Sequence, residues 1–255
     1  MTIFIYDKTF EGLLTCIFDA YTRKCFPDLL QTEQEPLPLF YDESWVVYTD
    51  EVKAGRVWRG LQKKLSGRAV AELAVCWFSE LPGVDMLLFR YMRKALDLAQ
   101  SPETNFGDPD VLELHKIGRK VSKERERVVQ FLRFQKALDG TYFAAIEPIY
   151  NVLPLALAHM KDRFKDQQWL IYDTRRRYGY FYNLSEITEV CPETDHELFS
   201  SGLLDKGIMD RDEQLFQQLW QTYFKATTIR ERTNLKLHRQ QMPVRFWKYL
   251  TEKQV

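Results

Sequence analysis

Lys116, Lys120, Lys123 and Arg127 follow one another at intervals of four, three and four residues. On a helix turning about 100° per residue, these cations fall within about one sixth of the circumference. Val111, Leu114, Ile117, Val121, Val128 and Leu132 lie broadly on the opposite side. Such a helix buries one face and lines up one sign of charge on the other, an arrangement that suits a row of phosphates. A merely solvated face more often alternates its signs to gain i,i+4 pairs. The competing use of the stripe is pairing with the chain's own acids. Near the C-terminus, Arg232, Lys236 and Arg239 share one helical face, and Arg245 and Lys248 alternate with Phe246, Trp247 and Tyr249. Single-stranded nucleic acid or an extruded base needs this combination, cations for phosphate and rings for stacking. The other reading of the tail docks its aromatics on the core, Trp247 included, and leaves Arg245 and Lys248 in water.

Residues for bond-making chemistry are sparse. Glu147, His159 and Asp173 are the acid/base candidates, and nothing in their spacing selects a reaction. No G-x-S-x-G, P-loop or G-x-G-x-x-G motif occurs. The cysteines Cys16, Cys25, Cys76 and Cys191 form no C-x-x-C pair, so they read as buried, reduced thiols. The histidines His115, His159, His196 and His238 show no H-E-x-x-H. No metal site and no cofactor is therefore expected.

The elements that must position these residues read as follows. A short strand at Ile3–Tyr6 precedes a helix from Phe10 capped by Asp7 or Thr9. A strand at Trp45–Thr49 and helices at Val52–Leu65, Ala69–Leu81 and Val84–Ala99 follow. Ser101–Pro109, rich in Pro, Gly and Asn, marks a boundary, giving an amino-terminal α+β region over 1–104 and a second region over 105–255. The second region opens with a long helix predicted over Asp110–Leu138. It continues with a strand at Thr141–Ile146 and a helix at Leu153–Phe164, then a β-hairpin over 168–183. An acidic stretch to about Asp210 is read as irregular, and helices at Asp212–Lys225 and Ile229–His238 follow, then a tail from Pro243. This order predicts an α+β protein, mostly helical, with a small sheet that includes the hairpin.

Composition sets the limits. In 255 residues, 45% apolar and 28% charged side chains describe a globular chain with a real core, which excludes disorder and disulfide miniproteins. The net charge of zero conceals segregation. Asp28–Glu51 holds seven acids and no base, and the sum over Ser185–Glu213 is also −7, against +6 over Lys116–Lys136 and +6 over Lys225–Lys253. The apolar start is interrupted at once by Asp7, Lys8 and Glu11, and no stretch is long enough to span a bilayer, so a cytoplasmic protein without a membrane partner is expected.

Two runs carry a resemblance. One joins His159-Met-Lys-Asp-Arg163-Phe164, Trp169-Leu-Ile-Tyr-Asp173 and Arg175-Arg-Arg-Tyr-Gly179. The other joins Trp220-Gln-Thr-Tyr223-Phe224, Ile229-Arg-Glu-Arg232-Thr-Asn234 and Met242-Pro243-Val-Arg245-Phe-Trp247-Lys248. Together with Tyr6-Asp-Lys-Thr9 and Tyr48–Trp58, they resemble the bacterial "probable DNA metabolism protein" family, over nearly the whole chain. Members are encoded beside a radical-SAM DNA modification or repair protein, or carry the same core fused to a uracil-DNA glycosylase. This chain lacks a C-x-x-x-C-x-x-C cluster motif and has Met160 where the family has Phe. The resemblance implies a DNA-binding accessory protein for repair or modification, with DNA (single-stranded forms included) and a radical-SAM enzyme as partners. An enzyme acting on a base or nucleotide and a purely protein-binding subunit are the alternatives. Several of Arg163, Asp173, Arg230, Arg232 and Asn234 are expected to converge on one polar pocket or groove of the second region, with His159 at or near its wall, the competing outcome being a closed ion-pair network.

Overall fold

The computed structural model describes residues 1–192, 204–205 and 207–253, with Arg230 described by its backbone alone. Part of the acidic 185–213 segment, His196 among it, lies outside the described residues. The protein is α+β, with helices dominating and two small sheets. It divides into two compact units, Met1–Ser122 and Lys123–Val255. In chain order the division falls inside a helix, whereas the sequence reading places it at 104–105.

The first unit begins β1 (Thr2–Ile5), α1 (Phe10–Arg23), β2 (Leu29–Gln31), β3 (Glu43–Val46). The strands form a parallel sheet in the order β2-β1-β3, with Ile3 opposite Leu29 on one side and Ser44 on the other. Central β1 buries both of its faces, Ile3 and Phe4 being fully enclosed. Thr9 is the N-cap of α1, its hydroxyl accepting from the Gly12 amide at 2.9 Å, and Asp7 in turn accepts from the Thr9 amide and hydroxyl. Leu13, Cys16, Ile17 and Ala20 form the buried stripe of α1. The helices α2 (Glu51–Lys64), α3 (Gly67–Trp77) and α4 (Val84–Asp97) complete the core with Leu61, Leu73, Leu88 and Met92. The helix α5 (Pro109–Phe131) lays Gly118 against the Glu72 carboxylate, where a Cβ would come within 2.7 Å. His115 bonds the same carboxylate at 3.1 Å.

The second unit is built on a five-stranded sheet in the order β4 (Gln135–Lys136), β5 (Tyr142–Ile146), β6 (Trp169–Asp173), β7 (Tyr178–Tyr182), β8 (Ile187–Val190). Strands β5 and β6 are parallel, joined through α6 (Leu153–Arg163), and the other pairs are antiparallel. Strand alternation divides the core. Phe143, Ala145 and Tyr172 pack with Leu204 and Tyr249, while Ala144, Ile146, Trp169 and Ile171 point to the other face. The predicted hairpin is present. Its turn is tied by Asp173, fully buried, which accepts from the Arg175 and Arg176 amides at 2.9 and 3.1 Å. Gly179 is required inside β7, because a Cβ there would lie 2.5 Å from the Ile171 carbonyl oxygen. The unit closes with α7 (Glu213–Thr227), a 3-10 turn at Arg230–Arg232, α8 (Leu235–Gln241) and 3-10 turns at Val244–Tyr249 and Thr251–Lys253.

Several local expectations change. The long helix stops at Phe131 instead of Leu138, because Gln135 and Lys136 pair with β5. Strands β2 and β8 were not foreseen in the loop and the acidic stretch. Cys16 and Cys76 are buried thiols as expected, but Cys191 is exposed.

Candidate nucleic-acid interface

Helix α5 buries Val111, Leu114, Ile117, Val121 and Val128, and exposes Lys116, Lys120 and Lys123. Lys116 reaches Glu113 one turn back at 3.7 Å, whereas Lys120 and Lys123 have no ion pair among the described residues. Arg127 has a different role. It faces Glu124, whose side chain is only 2% exposed, at 3.5 Å. Glu124 also accepts from the Ile149 amide at 2.9 Å and from the Arg245 guanidinium. The stripe thus separates into exposed lysines and an arginine spent on a buried carboxylate.

The tail is docked through its aromatics. Lys248 is exposed as expected, but Arg245 turns inward. Phe246, Tyr249 and Leu250 are buried, with Thr251 and Glu252 after them, and Trp247 is half-buried, stacked on His238 with ring centroids 5.5 Å apart. Arg245 meets Glu124, and Lys248 meets Glu147. Lys248 holds the Glu147 carboxyl below its ordinary range, against the upward push of partial burial. Leaving Arg245 in water would leave the buried Glu124 with only the longer, 3.5 Å contact to Arg127, which explains why Arg245 departs from the sequence reading.

Among the described residues, no ion pair or hydrogen bond joins Asp173 to Arg163, Arg232 or Asn234. Burial pushes the Asp173 carboxyl up, and its bonds from Arg176 and the turn amides only partly offset this. Its guanidinium partner is Arg176 at 3.0 Å, inside the same turn. Arg163 is exposed, lying over the neighbouring Phe164 ring, and His159 is exposed on α6. Arg232 is exposed, and Asn234 is the N-cap of α8, accepting from the Leu237 amide at 3.0 Å. The Arg230 side chain lies outside the described residues. Lys236 and Arg239 are exposed on α8, without an ion pair among the described residues.

A different set of residues does gather. A cavity of about 430 Å³ is lined by Arg133, Phe134, Glu213, Phe216, Gln217, Trp220 and Thr251. Its wall is set by Glu252, buried, which accepts from Arg133 at 2.9 Å, from the Trp220 indole at 3.0 Å and from Thr251. Burial pushes the Glu252 carboxyl up, and its own backbone amide, Arg133 and Trp220 more than reverse this, holding it below its ordinary range. Above the wall, α7 has no buried residue. Phe216, Trp220 and Tyr223 are 62, 40 and 59% exposed, and the last two rings stack 5.7 Å apart. With Arg133 neutralised by Glu252, the cavity suits a flat, uncharged ring edged by Gln217 and Glu213 more than it suits a phosphate. Sequence reasoning named Trp220 and Tyr223 only as part of the resemblance. Their places at i+4 and i+7 from Phe216, on one helical face, were the available signal.

Among the described residues, no three His, Cys, Asp or Glu side chains gather as a metal site requires, and no helix is long and apolar enough to cross a membrane. No curated protein and no solved structure matches the chain. Residues 82–252 match the family model described as a domain of unknown function, DUF4130, and this chain therefore belongs to the DUF4130 family.

Proposed function

We propose that the protein binds DNA, with a preference for single strands, as an accessory to repair or modification. The observation that carries this reading is the open aromatic row Phe216, Trp220 and Tyr223, beside a cavity sized for a small flat ligand. Base stacking on such rings is tolerant of sequence and worth about 1–3 kcal/mol per base. Lys123, Arg232, Lys236 and Arg239, exposed and unpaired among the described residues of the same unit, are available for the backbone phosphates. The radical-SAM enzyme implied by the family resemblance is the proposed companion that supplies the chemistry.

Titrating the full chain with a thymidine oligomer, with indole fluorescence as the readout, tests this. Binding should quench the indole signal and weaken with salt. Trp220→Ala, followed by anisotropy of a dye-labelled oligomer because the variant lacks this indole, should reduce affinity by about 5- to 150-fold, the value of one lost stack. A double Lys236→Glu, Arg239→Glu variant should flatten the salt dependence, by about 0.7 in the log–log slope per lost contact. A purely protein-binding subunit is the second reading, favoured by Leu215 and Leu219, which are 54 and 55% exposed on the same helix. It gains if neither variant alters DNA affinity.

A further inference from the structure

Strand β3 is exposed at every residue, although it belongs to a parallel sheet. Parallel strands are almost always covered on both faces. It is also an edge, joined to β1 on one side only in the order β2-β1-β3. The Val47 amide donates inward to the Ile5 carbonyl at 2.8 Å, so by strand alternation the backbone groups of Ser44 and Val46 point to the open side. The loop leading into the strand carries Leu39 and Phe40, 93 and 88% exposed, and Tyr48 beyond it is 80% exposed. An uncovered, apolar edge is a template for another strand.

Charge decides what can add there. Seven acids and no base lie between Asp28 and Glu51. The Met1 amine, Lys8 and Arg23 approach the segment, through Asp42, Glu35 and the Trp45 ring, and leave it acidic. Beyond the carboxyl ends of β1 and β3 lies a cavity of about 650 Å³, with Trp58 and Phe10 in its wall and the carboxylates of Asp7, Glu11 and Glu51 around it. Glu11 and Glu51 have no ion-pair partner among the described residues. Rings framed by carboxylates take a guanidinium or ammonium head. Nucleic acid is repelled by such a surface. A second copy adding across a twofold axis would set the acidic segment against itself.

We propose that the open edge of β3 and the adjoining acidic, aromatic cavity form a docking surface for a basic, extended segment of a different protein, which adds to β3 as a strand and seats a Lys or Arg head beside Trp58. The proposal is independent of the DNA reading, which concerns the other unit. The test is selection of displayed random dodecapeptides against the full chain, followed by affinity measurement with the enriched peptides. Enriched sequences should alternate Lys or Arg with β-branched or aromatic residues. Val46→Pro removes an outward amide at an edge position where proline is tolerated. Asp42→Lys with Glu43→Lys, and Glu11→Gln with Glu51→Gln, remove the charge. Each should weaken binding by about tenfold or more, with circular dichroism and melting temperature unchanged. The proposal is overturned by enrichment of acidic or no peptides, by affinities that none of the three variants alters, or by self-association that Val46→Pro abolishes.

Discussion

Replacing Glu124 by alanine is the sharpest test of how the cations are divided between scaffold and ligand surface. The carboxylate is nearly sealed and holds three donors: the Ile149 amide, Arg127 and Arg245. Removing it leaves the Ile149 N–H without an acceptor, a loss of about 1–3 kcal/mol. It also leaves two guanidinium groups without their counter-charge. Removing one partner of a fully buried pair costs about 3–5 kcal/mol. Here the arginine side chains are 21 and 28% exposed, so water recovers part of that cost. The expected destabilisation is about 3 kcal/mol, or a melting temperature lower by about 10 °C for a unit of this size. Glu124→Gln keeps the acceptor for Ile149 and should lose about half as much. Lys123→Ala, one residue away on the exposed face, should stay within about 0.5 kcal/mol. Urea and thermal denaturation of these three variants, with Arg127→Ala alongside, measure all of these values. If Glu124→Ala falls within about 1 kcal/mol of the parent, or Lys123→Ala costs as much as Arg127→Ala, the division of the cations is wrong.

Three further outcomes are expected. Phe246→Ala should cost about 3–5 kcal/mol by chemical denaturation, whereas half-buried Trp247→Ala should cost less, because Phe246 and not Trp247 is the tail's buried anchor. Gly179→Ala should cost about 1–3 kcal/mol, since its Cβ meets the Ile171 carbonyl and the backbone must shift; hydrogen exchange of the β6–β7 amides should rise with it. In the first unit, Lys94 holds Asp108 low and Arg90 with Lys94 hold Asp110 low, although partial burial pushes both carboxyls up. Because the folded values lie below the unfolded ones, the stability they contribute is complete above about pH 3.9 and is lost as pH falls through the depressed folded values. Asp110→Asn should therefore flatten the acid limb of a stability-against-pH curve and leave its slope above that range unchanged.

The amino-acid sequence by itself determined the helical faces. In α5 the burial of Val111, Leu114, Ile117, Val121 and Val128 follows from a period repeated over six turns, and the exposure of Lys116, Lys120 and Lys123 follows from the same count. The hairpin was legible for a similar reason, since two aromatic runs flank a short basic turn and strand pairing there is local. Strands of two or three residues made by distant pairing were not legible. Three-residue β2 exists because Leu29, Leu30 and Gln31 complete a ladder on β1, and α5 stops early because Gln135 and Lys136 pair with β5. The division of cations was decided only in three dimensions. Arg245 lies 121 residues from Glu124 and Arg133 lies 119 from Glu252, and each pair forms because a carboxylate buried by its own helix or turn must find a cation wherever the chain brings one. Local spacing records which side chains share a face. The partner that a buried charge finds is set by the packing of faces far apart in sequence, and that packing turned Arg245 from a ligand candidate into scaffold, while Lys120 and Lys123 of α5 stayed exposed without an ion pair among the described residues.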